Sequence, residues 1–288
     1  DLTGATTQAR QIRIDTGALT NAGGAITATG TGALNVRARE RIDNTSGAIA
    51  GNGTLDLHTG TLINQDGRLQ ATGSGDNRIA VAGQFDNRSG SVAATGNITL
   101  QADRLNNQGG SIAATDQAAL TVSIDGTLDN SARGTLAAAG DLTLSAPVLD
   151  NREGAIRHAG EGPASVSAGD LRGANGSITS NGALDICGGN TDLSGGSTFG
   201  ERIRIDTSHL FNTGGQLIAT GEGQLWVRAD DRVDNTGGMI AGNGALALQA
   251  GSLVNRDGTV LGARIRIDTR KAVLDNAGGA IASTVGTL

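Results

Sequence analysis

The sequence predicts an all-β chain folded as a right-handed parallel β-helix of about 13 coils with about 21 residues per coil. Three observations lead there. The unit Asp234-Asn-Thr-Gly-Gly-Met-Ile-Ala-Gly-Asn-Gly-Ala-Leu-Ala-Leu248 returns nearly unchanged at Asp43–Leu57, and weaker copies fill most of the chain. Within each unit apolar and polar residues alternate, which is the strand period, and no stretch has a helical one. Large side chains are scarce, with 47 Gly, three Phe, one Trp and no Tyr in 288 residues. A core made of Ile, Leu, Val and Ala must be thin, with two sheet faces close together.

Each part of the unit has a task. Its Asn recurs at Asn21, Asn44, Asn64, Asn87, Asn107, Asn130, Asn151 and Asn175, gives way to Ser194, and resumes at Asn212, Asn235, Asn255 and Asn276, in steps that tend to alternate between 23 and 20. Stacked in register, these residues are expected to hydrogen-bond along the axis as an Asn ladder, and they tolerate left-handed φ. The ladder proper comprises Asn21, Asn44, Asn64, Asn87, Asn107, Asn130, Asn151, Asn212, Asn235, Asn255 and Asn276. Glycine pairs such as Gly237-Gly238 follow, as corners needing positive φ or close backbone approach. Triplets such as Leu55-Asp-Leu57, Ile79-Ala-Val81 and Leu225-Trp-Val227 place their outer members inward and the middle one outward. The outward column then reads Arg13, Asn35, Asp56, Ala80, Thr99, Thr121, Thr143, Ser167, Asp185, Arg204, Trp226, Ala247, Arg266.

The chain starts and stops inside the repeat, so residues 1–288 are expected to be a single β-helical segment excised from a longer rod. Residues 151–200 form its irregular coils, with a short loop expected to leave the rod at Arg157–Pro163. Residues 12–67 match 203–258 at a constant offset of 191, which duplication of the repeat explains.

Composition excludes several function classes. A net charge of -6 with interspersed signs disfavours nucleic acid. The lone Cys187 rules out an internal disulfide framework and a Cys-based zinc site. His58, His158 and His209 lie on different coils without a His or Cys companion, so neither a metal nor a cofactor is expected. No run approaches the ~20 apolar residues of a membrane-spanning helix. A polysaccharide-cleaving β-helix enzyme needs clustered carboxylates, and the outward column has no neighbouring pair. For binding, Trp226 is the outward residue of interest, with Arg204 one coil before it and placed for a cation–π contact. Arg266 belongs to a basic group with Arg264, Arg270 and Lys271, and with Trp226 and Arg204 it completes the candidate ligand-binding set.

The strings Leu128-Asp-Asn-Ser, Asn106-Asn-Gln-Gly-Gly-Ser-Ile-Ala-Ala114 and Gly140-Asp-Leu-Thr-Leu-Ser-Ala146 resemble the filamentous haemagglutinin repeats of two-partner secretion exoproteins, which include haemagglutinin adhesins and contact-dependent growth-inhibition proteins. The resemblance implies a secreted or bacterial cell-surface chain, exported through an outer-membrane two-partner secretion transporter. On that basis the expected function is non-enzymatic: a structural shaft segment of an adhesin-like exoprotein that presents a distal binding or toxin domain. The alternative is that the segment itself binds a host receptor or glycan, and a minor alternative is the polysaccharide-cleaving enzyme.

Overall fold

A computed structural model describes residues 1–270 and 272–285, so Lys271 of the basic group lies outside the described residues. The fold is a parallel β-solenoid of about 13 turns with about 21 residues per turn, and no helix occurs among the described residues. The chain divides into two compact units, Asp1–Pro147 and Val148–Leu288.

In the first unit a coil runs from a buried Asn through a tight corner into a four-residue strand, a second corner, and a longer strand back to the next Asn; in three coils that longer strand is broken in two, as at Asn77–Val81 and Gln84–Asp86. The short strands pair in parallel and place Ile26, Ile49, Leu69, Val92, Ile112 and Leu136 in one column, none more than 3% exposed. The longer strands supply a second column of Val36, Leu57, Ile79, Leu100, Val122 and Leu144. Burying side chains of this size stabilises the stack by about 1.5–3 kcal/mol each, before the entropy of ordering the chain. In the second unit Leu217, Ile240 and Val260 continue the short-strand pattern, and Ile205, Val227 and Leu248 the long-strand one.

The asparagines run beside this core. Nδ2 of Asn21 donates to Oδ1 of Asn44 at 2.7 Å, and the same 2.7 Å bond repeats from Asn44 to Asn64, Asn87, Asn107 and Asn130. The second Nδ2 proton turns to a backbone carbonyl; Asn44, for example, donates to Gly47 at 3.1 Å. In the second unit Asn212 donates to Asn235 and Asn235 to Asn255 at 2.7 Å, and Asn255 to Asn276 at 2.6 Å. Asn151 is fully buried and donates to the Ser177 carbonyl at 3.2 Å. These amides lie where an unpaired polar group would cost the most, and within each run they pair with one another, whereas Asn21 and Asn212, which begin the runs, have a buried Oδ1 without a donor among the described residues.

Three expectations about the ladder turns need correction. Asn175 is not in the ladder slot: it is exposed, with φ 57°, two residues past the slot. Backbone N–H donation from Gly173 to Asp192 and from Leu193 to Phe211, both at 2.7 Å, places Gly173 and Leu193 in the slot, so Ser194 is not its occupant either. Leu193 is 2% exposed, and its Cδ2 sits 3.4 Å from where a Cβ on Gly173 would be, so a large apolar and an absent side chain compensate each other. Left-handed φ belongs to the position two after the ladder residue, at Ser46, Asp66, Ser89, Asp257 and Gly237, and not to the ladder residues themselves.

Two outward positions also shift. Asp56 pairs with Arg78, not Ala80, and Arg78 with Thr99; Asp185 pairs with Ser165, not Ser167. The alternation of 23 and 20 residues has two sources. The corner Thr29–Ala33 is two residues longer than Asn52–Thr54, and the strand Leu34–Asp43 has 10 residues against nine in Leu55–Ile63, the extra one absorbed by a bulge between Ala38 and Arg41. The strand Leu225–Asp234 bulges at the matching place, between Ala229 and Arg232. Residues 159–163 make a five-residue corner between Ala155–His158 and Ala164–Arg172, as long as Thr29–Ala33, and no loop leaves the stack there.

An Asp before the ladder Asn secures many corners. Oδ1 of Asp43, Asp86, Asp150, Asp234 and Asp275 each accepts the backbone N–H two residues on, at 3.1 Å. Burial pushes Asp86 up, but the side-chain and backbone bonds from Arg88 and its charge outweigh this and hold the carboxyl below its ordinary 3.8. Asp234 is lowered in the same way, burial being outweighed by the Thr236 bonds and the Arg232 charge. A carboxyl depressed in the folded state contributes stability that is complete above its unfolded pKa and lost as pH falls through the folded one. Thermal unfolding followed by circular dichroism is therefore expected to be level from about pH 7 to 5 and to drop steeply below about pH 4. The double variant Asp86→Asn, Asp234→Asn should show a shallower acid limb.

Candidate functional site

The outward face with the most distinctive chemistry lies in the second unit, on the strands 202–211, 225–234, 245–254 and 264–268. Parallel register aligns Asp185, Arg204, Trp226, Ala247 and Arg266 in one column. Two residues earlier stand Arg202, Ala245 and Arg264 on their strands and Gln224 just before the strand Leu225–Asp234, and two later Asp206, Arg228, Gln249 and Asp268. Period-two alternation puts all three columns on the solvent side because the residues between them, such as Ile203, Leu225 and Leu246, are buried.

Trp226 is half-buried, and its position follows from its neighbours. The Arg204 guanidinium carbon lies 4.6 Å from the indole centroid, a cation–π contact that covers one ring face. Nη2 of Arg204 also reaches Asp206 Oδ2 at 3.4 Å, and Arg228 stands 3.8 Å from Asp206 and 3.0 Å from Asp230. Arg270 lies 3.8 Å from Asp230. On the other ring face the next coil places only the small Ala247 in the Trp226 column, with Arg266 one coil beyond. The result is a groove of about 450 Å³ with an aromatic wall, an alanine floor and a basic far wall that includes Arg264. A second groove, of about 460 Å³, runs on the Arg204 side and is bordered by Asp185 and Arg202. Thus Arg204 and Trp226 touch each other, whereas Arg266 stands apart across the groove. Gln224, Gln249 and Asp268 belong to the same lining and were outside the sequence-based set; their alternation with Trp226 and Arg266 is the signal that marks them.

The three histidines do not converge. His58 Nε2 is 2.8 Å from Asp56, His209 Nε2 is 3.5 Å from Asp231, and His158, 2% exposed, has Nδ1 at 2.8 Å from Ser180 Oγ. Among the described residues no group of three His, Cys, Asp or Glu side chains is arranged to hold a metal ion. Cys187 is exposed and stands next to Asp206 in register. No helix among the described residues is long and apolar enough to cross a membrane.

The haemagglutinin repeat family matches the chain over residues 1–46, 29–89, 72–132, 117–225 and 220–288. No curated protein and no solved structure matches it.

Proposed function

The chain belongs to the haemagglutinin repeat family, and on that premise we propose that it is a shaft segment of a secreted, cell-surface, adhesin-like exoprotein, holding a distal binding or toxin domain away from the cell. The observation that carries this is the side-chain ladder with its 2.7 Å bonds from Asn21 to Asn130, which ties each coil to the next in addition to the backbone bonds. Its role is mechanical. Among the described residues the column through Trp226 gathers no carboxylates for acid–base chemistry: Asp185 faces Ser165 on one side and Arg204 on the other. A single cysteine suits export as an unfolded chain through an outer-membrane transporter, because no disulfide has to be kept from closing first.

Pulling single molecules by their two ends tests the mechanical role. Because each coil contacts only its neighbours, extension is expected in repeated steps of one coil or a small multiple, roughly 7 nm per coil at about 3.4 Å per residue. Asn64→Ala should lower the force of the steps it adjoins. A chain that extends smoothly at low force, with no repeated step, would not serve as a shaft.

A further inference from the structure

We propose that the groove between Trp226 and Arg266 is a docking slot for a uronate unit of an acidic polysaccharide, a function beyond the shaft role and independent of it. The slot exists because of a missing side chain. Coils in a parallel stack lie about 4.8 Å apart, so Trp226 and Arg266, two coils apart in one column, are separated by roughly 10 Å. The position between them is Ala247, whose methyl leaves one coil's width of space above the sheet. On the other side of the indole the corresponding position is filled, by Arg204 at 4.6 Å. The indole is therefore propped from behind and open in front. A flat group stacked on the open face at about 3.5–4 Å would stand about 6 Å from Arg266, within reach of its guanidinium.

The charge on the walls defines the occupant. Asp206 and Asp230 are engaged by Arg204, Arg228 and Arg270, whereas no ion pair involves Arg264 or Arg266 among the described residues. Asp268, the acid of this lining, accepts the backbone N–H of Arg270 at 2.8 Å. The far wall thus carries two guanidiniums against one carboxylate, a net positive charge that calls for an anion. Guanidinium pairs bidentately with planar carboxylates. A slot one coil thick favours a carboxylate near the plane of its ring over a tetrahedral sulfate ester. An aromatic platform takes the apolar face of a pyranose, and the Gln224 and Gln249 amides flank the slot where hydroxyl groups would emerge. A hexuronate meets all of these conditions.

Trp226 is the single tryptophan of a chain without tyrosine, so its emission reports this site alone. The complete chain should be titrated with a defined oligogalacturonate while that emission is followed. The expected result is a saturable change, absent with the fully methyl-esterified oligomer. Affinity should fall at least tenfold, about 1.4 kcal/mol, in Arg266→Ala and in Ala247→Leu, which fills the slot without altering charge. Both sites are on the solvent-facing column, and the variants should unfold at the temperature of the parent chain. No saturable change, an equal response to the methyl ester, or undiminished binding by Ala247→Leu would overturn the proposal. Tighter binding of dextran sulfate than of oligogalacturonate would overturn the carboxylate assignment, and equal binding of polyglutamate the sugar assignment.

Discussion

Gly238→Ala is expected to destabilise the chain by about 3 kcal/mol or more, well beyond the cost of the same change at Gly237. A Cβ on Gly238 would lie 2.0 Å from the Asn212 carbonyl oxygen and 2.7 Å from Asn235 Oδ1. Neither atom is free to yield. The carbonyl is part of the adjacent coil's backbone, and Asn235 Oδ1 accepts the ladder bond from Asn212. Relief of the clash must separate two coils and stretch the ladder together. Equivalent glycines Gly47, Gly67, Gly90, Gly110 and Gly258 meet the same obstacle, a backbone carbonyl 2.1 to 2.2 Å from the added carbon. Gly237 is a glycine for another reason. Its φ is +61° but a Cβ there meets nothing within 4 Å, and Ser46, Asp66 and Asp257 hold matching positions with φ between 52° and 53°. Gly237→Ala should therefore cost only about 1–2 kcal/mol, and Gly237→Asp less, because Asp tolerates left-handed φ. Denaturant unfolding of the paired variants gives both values.

Asn235→Ala is expected to cost about 2–4 kcal/mol. The side chain accepts from Asn212 Nδ2 and donates to Asn255 Oδ1, both at 2.7 Å, and to the carbonyls of Gly238 at 3.2 Å and Thr259 at 3.1 Å. Truncation leaves Asn255 Oδ1 buried without that donor and opens a void beside it. Asn235→Asp separates the two contributions: it keeps the volume but turns the donor toward Asn255 into an acceptor and buries a charge, so it should destabilise at least as much as alanine. Asn243→Ala serves as the comparison, because Asn243 also donates to a backbone carbonyl, that of Thr220 at 2.7 Å, but is exposed. That change should stay within about 0.5 kcal/mol. If the two alanine variants unfold alike, the side-chain ladder is not what binds the coils.

Much of this was legible in the sequence, and the failures have a common origin. Period-two alternation gives the face of each residue, and the Asn-Gly-Gly string gives the corner, because both depend on local geometry. Register between coils depends on corner length, and a slip of two residues leaves every face unchanged. Ile79-Ala-Val81 is the case in point: Asn77, Ile79 and Val81 all point inward, and only pairing of Leu57 with Ile79 fixes the register. The ladder index failed at Gly173 and Leu193 because the slot is defined by its backbone bond, whereas a search for Asn finds Asn175 nearby. Trp226 stands out by rarity, by its outward register and by Arg204 one coil before it. Its neighbours in the column, Arg204 before it and Ala247 and Arg266 after it, follow from the repeat, whereas the groove they enclose with Gln224, Gln249 and Asp268 needs the folded coordinates of the side chains.

Amide hydrogen exchange on the intact chain, resolved by residue, tests most directly the claim that the buried asparagines hold the coils together. The backbone N–H groups of Asn44, Asn64, Asn87 and Asn235 and those of Gly173 and Leu193 all make the same 2.7 Å bond to the next coil, and only the first set adds a side-chain ladder. The asparagine amides are expected to exchange far more slowly than those of Gly173 and Leu193. Equal exchange in the two sets would contradict it and leave the aliphatic core and backbone pairing alone to account for the stack.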